Sequence, residues 1–302
     1  MRLLWLISAT ERRTRAAHDP IAEARAGVLL DFVRDLAARL PIAIIFAMMD
    51  VPESDWPTLF RYANMHTAPE DPEYSIGTVM ETREHAVRGM LDYCRELALK
   101  RRGGSGVDLL SMLAHIEVDG QGLTDDELGA NGLMFVIAGQ ETTRNSLSAG
   151  MRELIGQPSD LERLRGNPKL LRTAPDEFVR WGSPVAHLLR TATADLEIAD
   201  KRIKAEDWVV CWMASANRDE SVFDQPFLFD VGRSPNPHVS FGYGPHFCLG
   251  AFLARLEIRV FMELLLERVA RVELNGDPQP VSAIQFCGLK SLPIRVVPRS
   301  GV

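Results

Sequence analysis

The chemistry in this 302-residue chain concentrates in one short segment, Phe241-Gly242-Tyr243-Gly244-Pro245-His246-Phe247-Cys248-Leu249-Gly250. Two glycines one residue apart make a turn open enough for a flat ligand to lie against bare backbone. A cysteine follows, and then apolar residues at Leu249, Phe252, Leu253, Leu256 and Val260 in helical spacing. That places the sulfur at a helix N-terminus, where free N–H groups and the helix dipole favour the thiolate. A thiolate presented in this way can hold one axial position of an iron porphyrin. The plain alternative is a tight turn ending in a buried structural cysteine.

A second constellation lies upstream. Leu123-Thr124-Asp125-Asp126-Glu127-Leu128 is a helix start, with Thr124 as cap, Glu127 reaching back and Leu123 stapling onto Leu128. The helix is predicted to run to about Ile155, where Gly156 and Pro158 stop it. Its middle, Leu133 to Ala138, is apolar throughout, and Gly139-Gln140-Glu141-Thr142-Thr143 comes straight after. A carboxylate there sits beside two β-branched residues and a glycine that weaken the helix. Taken alone, this reads as a helix turning Glu141 to solvent, with Thr142 bonded back to a preceding carbonyl.

The elements that must carry these groups are mostly helices. Apolar residues recur at three- and four-residue spacing near 22–49, 53–65 and 78–100. Arg101-Arg102-Gly103-Gly104-Ser105-Gly106 is a flexible connector between helices. From about Thr191 the pattern changes to short strands, at 195–198, 202–204 and 208–213 with a turn near Asp200, and later at 272–274 and 292–297 with Asn275-Gly276 as a turn. The chain is mainly α with small β-sheets, and no βαβ alternation is visible. We expect one domain over 1–302.

A formal net charge of −7 speaks against a nucleic-acid partner. Four scattered cysteines without a Cys-x-x-Cys suit a reducing cytoplasm. Leu3–Ile7 is shorter than a signal-peptide core and a basic stretch follows it, so Met1–Ala9 reads as an ordinary helix or a disordered start. The run Leu128–Gln140 is too short to span a bilayer, and no membrane span is expected.

Phe241, Gly242, Gly244, His246, Cys248 and Gly250 together resemble the haem-binding loop of the cytochrome P450 monooxygenases. A chance match at all of these positions in a chain of this length is on the order of 10⁻⁵. The resemblance implies haem b (iron protoporphyrin IX), with Cys248 as proximal iron ligand. Ala138-Gly139-Gln140-Glu141-Thr142-Thr143 resembles the family's helix across the oxygen-binding face. There Glu141 and Thr142 would deliver the protons that oxygen activation consumes, and Ala138 would border the cofactor. Gln140 falls at a variable position and is given no role. Glu177 and Arg180, three apart, match the family's Glu-x-x-Arg. Arg233, in Phe229-Asp230-Val231-Gly232-Arg233, would complete that structural lock. Arg190, His238 and His246 match the family's propionate contacts.

Arg255 and Arg259 share a helix face that reads as solvated, or as a docking patch for an acidic ferredoxin. By resemblance, electrons would come from NAD(P)H through a ferredoxin reductase and ferredoxin, and one oxygen atom would enter a C–H bond of a small lipophilic substrate. Further segments are similar to members acting on sterol side chains, methyl-branched lipids or terpenoids, and the substrate wall would include Leu133, Ile137, Val185, Ala186, Leu188 and Phe286. Family members normally begin well upstream, so a P450 fold lacking its N-terminal helices and part of the large sheet is expected. Three readings follow: an active monooxygenase, a shortened homologue with an accessory or haem-binding role and no turnover, and a non-functional fragment.

Overall fold

A computed structural model describes residues 28–299. It begins with β1 (Val28–Asp31), a π-type turn over Phe32–Ala37, α1 (Arg39–Met48), α2 (Trp56–Thr67), α3 (Val79–Leu99) and α4 (Leu109–His115). The β2–β3 hairpin (Glu117–Val118, Gln121–Gly122) leads into α5 (Asp125–Ala138), α6 (Glu141–Gly156), α7 (Pro158–Gly166) and α8 (Ala174–Gly182). Then come β4 (His187–Thr191), β5 (Leu196–Ile198), β6 (Lys201–Ile203), β7 (Trp208–Trp212) and the short α9 (Met213–Ala216). The chain closes with α10 (Ala251–Arg268), β8 (Val269–Leu274), β9 (Gln279–Pro280), β10 (Leu289–Ser291) and β11 (Pro293–Pro298). The architecture is mainly helical with small antiparallel sheets, as the sequence predicts. Among the described residues, no helix is long and apolar enough to cross a membrane.

Local signals explain most boundaries. Thr78 with Glu81 and Thr124 with Glu127 both form complete capping boxes. The expected helix from residue 22 is replaced by a strand at Val28–Asp31, which pairs with β11 through Val28↔Val296 and Leu30↔Ile294. Asp31 then accepts from the Val33 and Arg34 N–H groups and starts the first helical turn there, so pairing with a distant strand overrides local periodicity. Residues 22–27 and Met1–Ala9, for which helix was considered, lie outside the described residues. The sequence reading gives no strand at β2, β3, β4, β9 or β10; the longest of these, His187–Thr191, pairs with β7 from His187↔Trp212 to Thr191↔Trp208.

Two large apolar clusters, with a small one around Ile44 and Leu256, hold the described residues together. One joins α6, α8, α10, β8 and β11 around Phe178, Phe229 and Ile258. The other joins α1 to α5 around Phe46, Met90 and Leu128. Close approach of α5 to α3 depends on Gly132, where a Cβ would come within 2.5 Å of the Cys94 Cβ.

The buried face of α8 carries a fully buried ion pair. Arg180 Nε donates to Glu177 Oε2 and Nη2 to Oε1, both at 2.7 Å, and both side chains are wholly shielded from solvent. Arg233 adds a second cation at 3.2 Å from Oε2. The remaining donors of Arg180 go to the Asn217, Pro226 and Leu228 carbonyls, and Arg233 reaches those of Asp224, Gln225 and Leu228. Backbone N–H of Asp230 and the Asn236 side chain complete the shell around the carboxylate. The segment between α9 and the cysteine loop has no regular structure of its own, and this hub gives it one shape. Removing one partner strands the other charge in the core, a loss of about 3–5 kcal/mol. Arg180→Ala and Glu177→Ala should each lower the denaturant midpoint accordingly, and an unchanged midpoint would contradict the hub.

Candidate functional site

The cysteine loop needs left-handed backbone at Gly242 (φ 73°) and Gly244 (φ 70°), which glycine adopts without strain. Cys248 N–H donates to the Phe241 carbonyl at 2.8 Å, closing the loop just before α10. Burial pushes the Cys248 thiol up, against the Gly250 N–H and Arg255, which pull it down. The helix terminus therefore does not by itself secure the thiolate expected from sequence: desolvation outweighs it. A bound metal cation would reverse that balance.

Facing the loop is a break in the long predicted helix. Instead of one helix to Ile155, α5 ends at Ala138 and α6 begins at Glu141. Gly139 is pressed against α1, where a Cβ would meet Ile45 Cγ1 at 2.6 Å and the Phe135 carbonyl at 2.8 Å. Between break and loop lies a cleft of about 220 Å³, bordered by Ala138, Thr142, Phe241, Cys248 and Glu257 among others. A larger groove of about 400 Å³ between α2 and α3 is lined by Pro57, Tyr62, Met65 and Ile76, with Arg61 and His85 at its edge. It holds no thiol or acid–alcohol pair, so the chemistry favours the smaller cleft.

The cleft brings together Ala138, Thr142, Val185, Leu188, Phe241, Gly242, His246, Cys248 and Gly250, all singled out from sequence. Phe286 pairs with Val185 in an isolated antiparallel bridge beside it. Leu133, Ile137 and Ala186 are buried but do not border it. Thr142 Oγ1 donates to the Ala138 carbonyl at 3.1 Å. Glu141 is buried rather than turned to solvent, and it points away from the cleft. Its Oε1 accepts from Arg144 and from Asn145 Nδ2, and Arg144 in turn donates to Asn64 Oδ1 of α2.

Arg190 is exposed and donates to its neighbour's carbonyl, Leu189 O, and it does not border the cleft. His238 Nε2 lies 2.9 Å from Asp176 Oδ1, which Arg255 Nε also meets at 2.8 Å. Burial alone would raise the Asp176 carboxyl, but these two partners hold it below its ordinary range. Arg255 also lies over the Phe241 ring, 4.5 Å from its centroid. It therefore buttresses the loop, and Arg259, 3.6 Å from Glu263, is the more open of the two arginines.

Sequence reasoning missed Glu257 on α10. It is almost fully buried at the cleft, and Oε2 has no partner among the described residues. Burial pushes its carboxyl up to about 8, despite a hydrogen bond from Thr143. The available signal was a lone Glu on the apolar side of the helix that follows Cys248.

The residues present fit a haem. No group of three or more His, Cys, Asp or Glu that could hold a metal occurs among the described residues. Among the described residues bordering the cleft Cys248 is the one thiol, and a single thiol suits a metal whose other ligands come from a cofactor. Gly250 leaves the flank of that sulfur bare, with a Cβ position 3.9 Å from it, and apolar Phe241, Leu188 and Leu253 line the approach.

A sequence model described as Cytochrome P450 matches residues 45–296. The chain belongs to the cytochrome P450 family. It is 36% identical over 290 residues to linalool 8-monooxygenase of Pseudomonas putida, covering 96% of this chain and 71% of that protein. With the methyl-branched lipid omega-hydroxylase of Mycobacterium tuberculosis it shares 38% over 266 residues, covering 87% of this chain and 62% of that one. A Mycobacterium marinum cytochrome P450 solved with pseudoionone superposes with a TM-score of 0.89 at 34% identity, over 97% of this chain and 70% of the other. This P450 chain thus spans 62–71% of the length of the curated relatives named.

Glu257 gives a pH prediction. Its folded pKa lies above the unfolded value, so the native state binds the extra proton, and stability falls as pH rises from about 4.5 to about 8. Glu257→Gln should flatten that slope and exceed the parent in stability at pH 8. Parallel stability curves for the two proteins between pH 5 and 8 would exclude a neutral Glu257.

Proposed function

We propose that this P450 chain is a haem-thiolate monooxygenase, inserting one atom of dioxygen into a C–H bond of a lipophilic small molecule. The observation that carries the reading is the Cys248 sulfur facing, across one apolar cleft, a helix break that presents Thr142. Haem b held there would supply the activation of dioxygen, with a thiolate ligand favouring O–O cleavage. Cys248 would hold the iron, and His246 stands at the cleft edge as a propionate donor.

The chain's own part is orientation and proton handling. The Thr142 hydroxyl is already aligned by its bond to Ala138, leaving its lone pairs to accept and pass a proton. Glu257 keeps a proton near neutral pH, in contact with Thr143 on the next residue of the same turn. Glu141, held by Arg144, is set back behind the helix and would feed the site rather than touch the substrate. Val185, Leu188 and Met213 make an apolar wall that disfavours water.

The substrate class follows from that wall and from relatives named for linalool, a methyl-branched lipid and a steroid. Electrons would come from NAD(P)H through a ferredoxin reductase and a ferredoxin in the cytoplasm, the acidic ferredoxin docking on the side of α10 that carries Arg259.

The decisive test is the spectrum after reduction under carbon monoxide. A thiolate-haem Soret band supports the proposal, and its absence from well-folded protein returns the chain to a role without turnover. Thr142→Ala should keep that band while diverting most of the NAD(P)H electrons to hydrogen peroxide, since a positioned proton-transfer group contributes on the order of 10²-fold or more. Equal product yield in both proteins would remove Thr142 from proton delivery. Arg259→Glu should slow reduction by the ferredoxin and weaken its salt dependence, whereas an unchanged rate and salt slope would place docking elsewhere.

A further inference from the structure

We propose that Gln140 is a positioning residue that holds the α5–α6 break open and so keeps the Thr142 hydroxyl at the cleft. The inference deepens the monooxygenase reading and rests on it for its consequence in turnover. In an unbroken α-helix, the Val136 carbonyl would accept from the backbone N–H of Gln140. Here the side chain takes that place: Gln140 Nε2 donates to Val136 O at 2.8 Å. Two residues later the same exchange recurs, with Thr142 Oγ1 on Ala138 O. The backbone ladder resumes only with Arg144 N–H on the Gln140 carbonyl, at 3.1 Å.

Three further observations make this a built feature. Gln140 is 2% exposed, so the carbonyl it serves has no ready substitute in solvent. Its backbone, at φ −121° and ψ −50°, lies outside the helical range and defines the break. Both flanks are fixed, by Gly139 against Ile45 on one side and by Glu141 held by Arg144 and Asn145 on the other. Only the residue between them has freedom to decide whether the helix closes.

Without a side-chain donor at this position, the nearest replacement for Val136 O is the Gln140 N–H itself. Closing that bond continues α5 by a turn and rotates Thr142 away from its present place. A side chain of glutamine's length is needed. Asparagine is one methylene short, and methionine has the length without the donor.

The test compares Gln140→Met with the parent by residue-resolved amide hydrogen exchange, which needs no turnover. Protection at residues 140–142 should rise about fivefold or more, the factor one net hydrogen bond is worth. Exchange in α3 and α8 should stay unchanged. In haem-loaded protein the carbon monoxide band should not move, while peroxide per NAD(P)H rises. In a Thr142→Ala background the same change should add little, because Gln140 acts through Thr142. Unchanged or lowered protection at 140–142, or full additivity with Thr142→Ala, overturns the proposal. Gln140→Asn carries the same expectation and serves if the methionine variant does not fold. A parent that shows no thiolate-haem band sinks the oxygenase reading alone, since the exchange experiment still decides what Gln140 does.

Discussion

The arrangement of the cleft depends on one buried carboxylate. Glu177 takes two bonds from Arg180 and a second cation from Arg233, and through those arginines it organises the carbonyls of residues 217–228. Such a pair contributes little net stability, because desolvating the charges offsets most of their attraction. Its value lies in specification. The irregular chain between β7 and the cysteine loop anchors Phe223, Phe229 and Val231 in the core, and a buried charge that must be satisfied fixes the course of the polar remainder. Ser183, Asn217 and Ser240 extend the network, with Asn217 Nδ2 reaching both hydroxyls and Asn217 Oδ1 capturing the Val239 N–H. Val239 and Ser240 lead directly into Phe241, so the loop is placed by hydrogen bonds that trace back to Glu177.

A similar logic governs the sulfur. Sequence places Cys248 at a helix start and suggests a stabilised thiolate, yet the folded site buries it enough to favour the thiol. Both statements describe the same geometry. A site that keeps water away from the metal must also desolvate the ligand, and the anion becomes stable when a cation arrives. On the proposed function the loop would suit the loaded state, with Arg255 on the Phe241 ring and Asp176 behind it holding the turn in shape.

Much of this was legible in the residues. The glycines of the cysteine loop, the Thr124–Glu127 capping box and five of the eleven described strands follow from local chemistry and spacing, and the Glu177–Arg180–Arg233 lock from the family resemblance. What escaped depends on contacts between distant segments. The predicted continuous helix fails at Gln140, whose backbone leaves the helical range beside a Gly139 packed too closely against Ile45 of another helix to carry a side chain. The first strand appears because β11 offers a partner, and Glu257 matters because α10 turns it inward against Thr143. His238 satisfies Asp176 rather than bordering the cleft, a choice set by the approach of α8, which no motif encodes.

The β4–β7 ribbon has a consequence for how the cleft behaves in time. Its inner face carries Leu188 at the cleft. Leu189, Trp208, Val210 and Trp212 share the opposite face, and all of them are solvent-exposed, Trp208 by 78%. A two-stranded ribbon packed on one side only has little to lose by parting from its neighbours. Its backbone bonds should therefore open at a small fraction of the global unfolding free energy, well before α8 or α10. The wall formed by this ribbon is thus softer than α8 and α10, which lie in the larger apolar cluster behind the sulfur. Whatever stiffens that ribbon from outside would tighten the cleft without touching a residue inside it.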